Sequence, residues 1–295
     1  MDYSLFEKLK TNPKLIDNIL DGGGKQLGDV DLDNLQIEVM SSGFPSLDSN
    51  YMLLKKGEGE LIIVGGRPSS GKSALMFQLA LNVSRELPVH VFSLEMSQES
   101  IVRRLISQII EKPLSEIQLG WVDRTLLEKA KNQLQEYHYI IDDTSGISVS
   151  ELCDRARNRA KKFGTRLVVI DYLQLLRTEK GHSKDAEIGE ITKELKSLAR
   201  DLQSPVIVGS QLNRQCEVRG AGSGDYRPIL SDLRESGNIE QDSDIILAIH
   251  REYRYTKLRP GKADVLVLKN RNGSIGETEM NFHADQTKFE DLGGV

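Results

Sequence analysis

Residues 60–78 read ELIIVGGRPSSGKSALMFQ, and the class of fold is written in this stretch. Residues 61–64 are a short apolar run of the kind that makes a buried parallel strand. Gly66, four residues, and then Gly71, Lys72 and Ser73 reproduce the pattern GxxxxGK[ST], and residues 74–84 continue with helical periodicity. Strand, loop and helix therefore come in the order that a phosphate-binding loop needs. The glycines let backbone N–H groups turn inward around an anion, and the following helix N-terminus adds its partial positive charge. Gly66, Arg67, Pro68, Ser69, Ser70, Gly71, Lys72 and Ser73 are the expected cradle. Lys72 is expected to reach the β- and γ-phosphates, and the Ser73 hydroxyl to ligate Mg²⁺. The bland alternative is a Gly/Ser-rich turn, and the two correct flanks weigh against it.

Outward from this stretch, apolar runs alternate with amphipathic patterns. Strands are expected at 61–64, 89–93, 139–142, 167–171, 206–210, 245–250 and 263–269, and helices at 73–86, 98–110, 123–136, 149–162 and 186–202. Such alternation predicts an α/β fold, a mainly parallel central sheet with helices on both faces. In such sheets ligands collect at the carboxyl ends of the strands, and every motif described below is expected at such an end. Residues 215–228, with GAGSG in the middle, read as a loop-rich stretch.

Four of these strands end in polar groups. Residues 166–171, RLVVID, place Asp171 at the tip of a buried strand, the position of an acid that holds Mg²⁺; Asp142 and Asp143, at another strand end, are the runners-up. Residues 91–96, VFSLEM, put Glu95 after the strand expected beside the phosphate loop. A carboxylate there can orient and polarise water for hydrolysis, although a Glu before Ser97 also suits a helix start. Gln211 tips the strand at 206–210 and can bond a γ-phosphate, or it can simply be solvated.

Composition limits the remaining classes. The 295 residues suit one large domain with an appendage, or two small domains. Hydrophobic content of 38% suffices for a core, and 28% charged residues suit a soluble cytosolic protein. No apolar run approaches the roughly 18 residues of a membrane span, and the start MDYSLFEKLKTNPK lacks a signal-peptide core. A cytoplasmic protein is expected. Cys153 and Cys216 belong to no CxxC or Cys/His cluster. A net charge of −5 argues against a uniformly basic nucleic-acid surface, though not against DNA held by a few loops. Residues 1–42 read as a short helical lead: Leu5, Leu9, Leu15, Ile16, Ile19 and Leu20 suggest one or two amphipathic helices before Gly22, Gly23 and Gly24. This is either a flexible lead or a helix that docks on another surface, such as a neighbouring subunit, and the apolar spacing favours docking. Residues 43–295 are the expected main domain.

GGRPSSGKS, FSLEMSQESIVRRL, LVVIDYLQLL, GSQLNRQCEVR, RPILSDLRESGNIEQDSD and LKNRNG occur in this order. Together they resemble the ATPase domain of replicative hexameric DNA helicases of the DnaB type, over about residues 43–290. The resemblance implies a RecA-like P-loop NTPase fold, a homo-hexameric ring, and ATP with Mg²⁺ at subunit interfaces. It makes Glu95 the catalytic carboxylate and Gln211 a γ-phosphate sensor. It makes Arg271, with Lys269, an arginine finger reaching into the neighbouring subunit's site, a role suited to a fixed planar cation; without it, KNRNG reads as a basic hairpin turn. It also makes the SDLRESG segment, with Arg234, Glu235 and Gly237, a grip on the single-stranded DNA backbone. By residue type alone that segment is a solvated mixed-charge loop. Tyr226 and Tyr253 read as packing or nucleotide-side contacts more than as base-stacking platforms.

The implied activity is ATP-dependent translocation, 5′ to 3′, on single-stranded DNA with unwinding of forked duplex. A primase and a helicase loader are the implied partners. The family usually carries a large N-terminal domain where about 45 residues precede the main domain here, and residues 48–59 differ from its usual glycine turn. A minimal or phage-like form, in the cytoplasm of a bacterial cell or a phage-infected host, is therefore expected. Two other readings share the core motifs: a recombinase-like filament ATPase, and a ring-forming regulatory ATPase that does not act on DNA.

Overall fold

The computed structural model describes residues 37–178, 184–233 and 236–292; the expected N-terminal helices, Arg234 and Glu235 lie outside them. In chain order, α1 (Pro45–Tyr51) precedes β1 (Leu61–Gly66) and α2 (Lys72–Val83). Then come β2 (Val89–Ser93), α3 (Gln98–Ile110), α4 (Leu114–Gln118), α5 (Arg124–Gln135) and β3 (Tyr139–Asp142). They are followed by α6 (Val149–Phe163), β4 (Leu167–Asp171), α7 (Lys184–Leu202), β5 (Val206–Gln211) and α8 (Gln215–Ser223). The last are α9 (Ser236–Asp242), β6 (Ile245–His250), α10 (Tyr253–Thr256), β7 (Lys262–Asn270), β8 (Gly276–His283) and β9 (Lys288–Asp291).

All nine strands join one sheet in the order β3-β2-β4-β5-β1-β6-β7-β8-β9. From β3 to β6 the pairings are parallel, and from β6 to β9 antiparallel. The parallel core is buried on both faces. Ile62 and Val64 of β1 join one apolar cluster with Leu75, Phe77 and Leu79 of α2, while Leu61 and Ile63 join the other with Leu152 of α6 and Leu195 of α7. Each such fully buried aliphatic side chain contributes about 1.5–3 kcal/mol.

Local chemistry sets the helix boundaries. Ser97 caps α3 by accepting from the Ser100 amide, and Asp143 Oδ2 accepts the Gln98 amide at 2.9 Å. Asp123 and Ser148 cap α5 and α6 in the same way, and Gly164 closes α6 in the left-handed region. These caps satisfy amides that have no partner within the helix.

The structure departs from the sequence expectation at several elements, the short helices α4 and α10 among them. β8 and β9 extend the sheet beyond residue 269, and α1 precedes the first expected strand. The stretch expected as loop at 215–228 contains α8. Finally, SDLRESG is not one loop: Leu230–Asp232 form a 3-10 turn and Gly237 lies in α9.

Candidate nucleotide site

The loop between β1 and α2 opens into a cleft of about 510 Å³. Gly66, Arg67, Pro68, Ser69, Gly71, Lys72 and Ser73 line it, together with Glu95, Gln211, Arg104 and Arg251. Ser70 is buried beneath the loop and its hydroxyl has no partner. Gly71 caps α2 at φ +104, and a Cβ there would lie 2.9 Å from Phe289 Cζ, so the turn requires glycine. The first-turn amides of α2 have no intrahelical acceptor and suit an anion.

At the base of the cleft Lys72 Nζ donates to Asp171 Oδ1 at 2.5 Å and lies 4.7 Å from the centre of the Tyr172 ring. Asp171 is fully buried, and its second oxygen, Oδ2, has no hydrogen-bond partner. Mg²⁺ fits this donor set: it takes one or two carboxylates plus substrate phosphates and waters, and the orphaned Oδ2 with the Ser73 hydroxyl would supply the protein's share. Among the described residues no group of three or more His, Cys, Asp or Glu forms a metal cage. The runner-up acids are committed elsewhere. Arg155 Nη1 and the Thr144 hydroxyl donate to Asp142, while Asp143 caps α3.

Glu95 is exposed at the cleft wall. The side chain of Arg104 on α3, which lines the same cleft, has no hydrogen-bond partner among the described residues. Burial lowers the Arg104 pKa from its ordinary value, opposed by the charges of Asp171 and Glu95. Sequence reading missed this cation. Its only signal was a pair of arginines, 103 and 104, beside the buried Ile101 and Leu105. Gln211 is braced: Gln174 Oε1 accepts its amide at 3.2 Å and Gln174 Nε2 donates to Ser210 Oγ at 3.1 Å. Behind the loop, Arg251 donates to Ser69 O at 3.3 Å and Arg254 to Pro68 O.

Gly209 was also missed. A Cβ on it would stand 2.6 Å from Lys72 Nζ and 3.1 Å from Asp171 Oδ1, so a side chain there would push the Lys72 ammonium from its present position.

Lys269 and Arg271 are not part of this cleft. The KNRNG turn follows β7 but, because β7 runs antiparallel to β6, Asn270 pairs with Ile245 at the start of β6. That is the edge of the sheet opposite the phosphate loop, which corrects the expectation that every motif sits at the carboxyl edge. There Arg271 donates to Asp244 Oδ1 at 3.1 Å, while Lys269 donates to the carbonyls of Glu240 and Ser243. Gly237 is exposed, with open space about it. Tyr226 packs face to face on Tyr255 at 4.5 Å. Cys153 and Cys216 are buried free thiols.

With this geometry in place, comparison with known proteins identifies the lineage. The family model described as the DnaB-like helicase C-terminal domain matches residues 39–291. The chain belongs to that family. A relative from Bacillus subtilis, named replicative DNA helicase DnaC, is 40% identical over 261 residues, covering 85% of this chain and 56% of that protein. A solved structure described as an ATPase domain superimposes with a TM-score of 0.81 at 32% identity, covering 99% of this chain and all of that one. A second, described as a DnaB-like replicative helicase and its interactions with primase, gives a TM-score of 0.80 at 30% identity, covering 98% of this chain and 74% of that one. The fold of this DnaB-like domain is thus the RecA-like α/β ATPase fold. The chain spans just over half the length of the curated relatives it matches.

Proposed function

We propose that this DnaB-like domain is an ATP-driven motor that moves 5′ to 3′ along single-stranded DNA as a ring of six copies and unwinds forked duplex. Residues 43–295 form the motor and residues 1–42 a lead segment. The observation that carries this reading is the Lys72–Asp171 pair, with its unpartnered Oδ2, set beneath a phosphate loop in a cleft walled by Glu95 and Gln211.

In the proposed reaction, Lys72 exchanges Asp171 for the β- and γ-phosphates of ATP, and the loop amides cradle them. Ser73 and Asp171 would hold Mg²⁺, which when bound neutralises phosphate charge. Glu95 orients the water whose oxygen bonds to the γ-phosphorus as the bond to the β–γ bridging oxygen breaks, giving ADP and phosphate. Arg104, which lines the same cleft, would stabilise the charge that builds on the departing phosphate. Arg271 and Lys269, at the far edge of the sheet, act on the site of the adjacent copy. Gln211, held by Gln174, responds to loss of the γ-phosphate. Arg234, Glu235 and Gly237 provide the grip on the DNA backbone, which gives binding without sequence preference.

Among the described residues no helix is long and apolar enough to cross a membrane; the proposed setting is the cytoplasm, with a primase and a loader as partners. Family membership favours the helicase over the filament and regulatory-ring readings. ATP turnover measured with and without single-stranded DNA tests the assignment: the motor predicts stimulation, and indifference to DNA would favour the regulatory ATPase.

A further inference from the structure

The phosphate loop is fastened on two sides to a part of the chain that does no chemistry. On one side Arg67 Nε donates to Glu217 Oε1 of α8 at 2.9 Å, and Arg67 Nη1 donates to Leu212 O at 2.8 Å. The Arg67 side chain is only 10% exposed and Glu217 33%, so the contact is shielded from solvent on its arginine side. On the other side Arg254 of α10 donates to Pro68 O, while Tyr255 of the same helix stacks on Tyr226 with ring planes 4° apart.

α8 is in turn locked to the segment that leads into residue 234. Arg219 Nη1 and Nη2 grip Asp232 Oδ1 and Oδ2 at 3.0 and 2.8 Å, and Nη2 also donates to Arg227 O at 2.7 Å. Asp232 is fully buried and accepts the Ile229 amide at 2.9 Å. The Asn213 amide donates to Asp232 O, and Leu212 bridges Leu233. A two-pronged ion pair on a buried carboxylate is stiff, so α8 and residues 231–233 are built to move as one body. Their attachment to the loop runs through the Arg67 guanidinium, held by Glu217 Oε1 and Leu212 O, and through the Leu212 amide, which donates to Gly66 O at 3.2 Å.

We propose that Glu217 is a positioning residue that, through Arg67, couples occupancy of the phosphate loop to the placement of residues 231–233, and so to the affinity for single-stranded DNA. This deepens the motor reading and rests on it. A phosphate in the loop competes for its cations and shifts the Arg67 guanidinium, whose rigid fork carries α8 with it. The coupling is reciprocal: the factor by which nucleotide changes DNA affinity is the factor by which DNA changes nucleotide affinity.

The test uses the full chain and a fluorescent oligothymidine, titrated with and without a non-hydrolysable ATP analogue and Mg²⁺. In Glu217→Gln the ratio of the two DNA affinities is expected to collapse towards one, by about fivefold or more, the usual scale of such coupling. DNA affinity without nucleotide, unstimulated ATP turnover and Tm should stay near wild type. Arg219→Lys, which keeps the charge but loses the fork, should show the same collapse. A wild-type ratio in Glu217→Gln would overturn the relay and leave the motor standing. So would a uniform loss of turnover, affinity and Tm, which marks a purely structural contact. A wild-type chain whose DNA affinity ignores the analogue would overturn the motor and the relay together.

Discussion

Lys72 and Asp171 face each other at 2.5 Å across the base of the cleft, and the carboxylate oxygen that Lys72 does not take is left without any partner. The pair is a preassembled exchange: phosphate can claim the ammonium while a cation claims the acid. Removing Lys72 strands a buried charge. Lys72→Met is therefore expected to abolish ATP turnover and to lose about 3 kcal/mol of stability. Lys72→Met with Asp171→Asn should recover most of the stability and none of the turnover. Urea unfolding and steady-state ATPase assays check both halves; retained wild-type turnover in Lys72→Met would remove the phosphate loop from its assigned role.

Gly209 leaves room for that pair. In Gly209→Ala the new methyl group would meet Lys72 Nζ at 2.6 Å, so the ammonium must shift. Overpacking of this kind costs about 1–3 kcal/mol, expected here as a loss of about tenfold or more in kcat/KM for ATP. Unchanged kinetics would show that the Lys72 position is not critical.

Arg271 sits at the edge of the sheet away from its own cleft. Arg271→Ala should lose hydrolysis and keep most nucleotide affinity, read by fluorescent nucleotide titration. Mixing Arg271→Ala with Glu95→Ala chains should restore activity, because some interfaces then combine an intact finger with an intact carboxylate. No recovery at any ratio would count against action between copies.

His90 is fully buried in β2 against Phe92, with neither ring nitrogen hydrogen-bonded. Burial, then the charge of Arg159, lowers its pKa from 6.5 to about 4, and Asp142 opposes the shift. The unfolded chain takes up a proton near pH 6.5 that the folded chain refuses until about pH 4. Stability from this group is thus complete above pH 6.5 and is lost as pH falls towards 4, by up to about 3 kcal/mol. His90→Leu should flatten that slope in urea midpoints measured between about pH 4 and 7. An unaltered slope would assign it to other groups.

The parallel core was legible in the sequence because its signals are local. The glycine loop, the strand-end acids Glu95 and Asp171, and the periodicities of α2, α3, α5, α6 and α7 are all readable within a few residues. What escaped depends on distant partners. Gly209 looks like any strand glycine until Lys72 and Asp171 are brought beside it. α8 carries Gly220 and Gly222, poor helix formers, and is tied down by Arg67 and Asp232, far away in sequence. β8 alternates buried Thr278, Met280 and Phe282 with more open Glu277, Glu279 and Asn281, a polar composition that hides a strand. The direction of β7, which moves Arg271 to the far edge, is set by pairing that no local pattern reports.

The decisive experiment for a 5′-to-3′ ring motor is strand displacement on a forked duplex with ATP and Mg²⁺, comparing a 5′ single-stranded tail with a 3′ tail. Such a motor gives unwinding that requires the 5′ tail and disappears in Lys72→Met. Unwinding that needs only the 3′ tail, or none under conditions where DNA leaves ATP turnover unchanged, would contradict it.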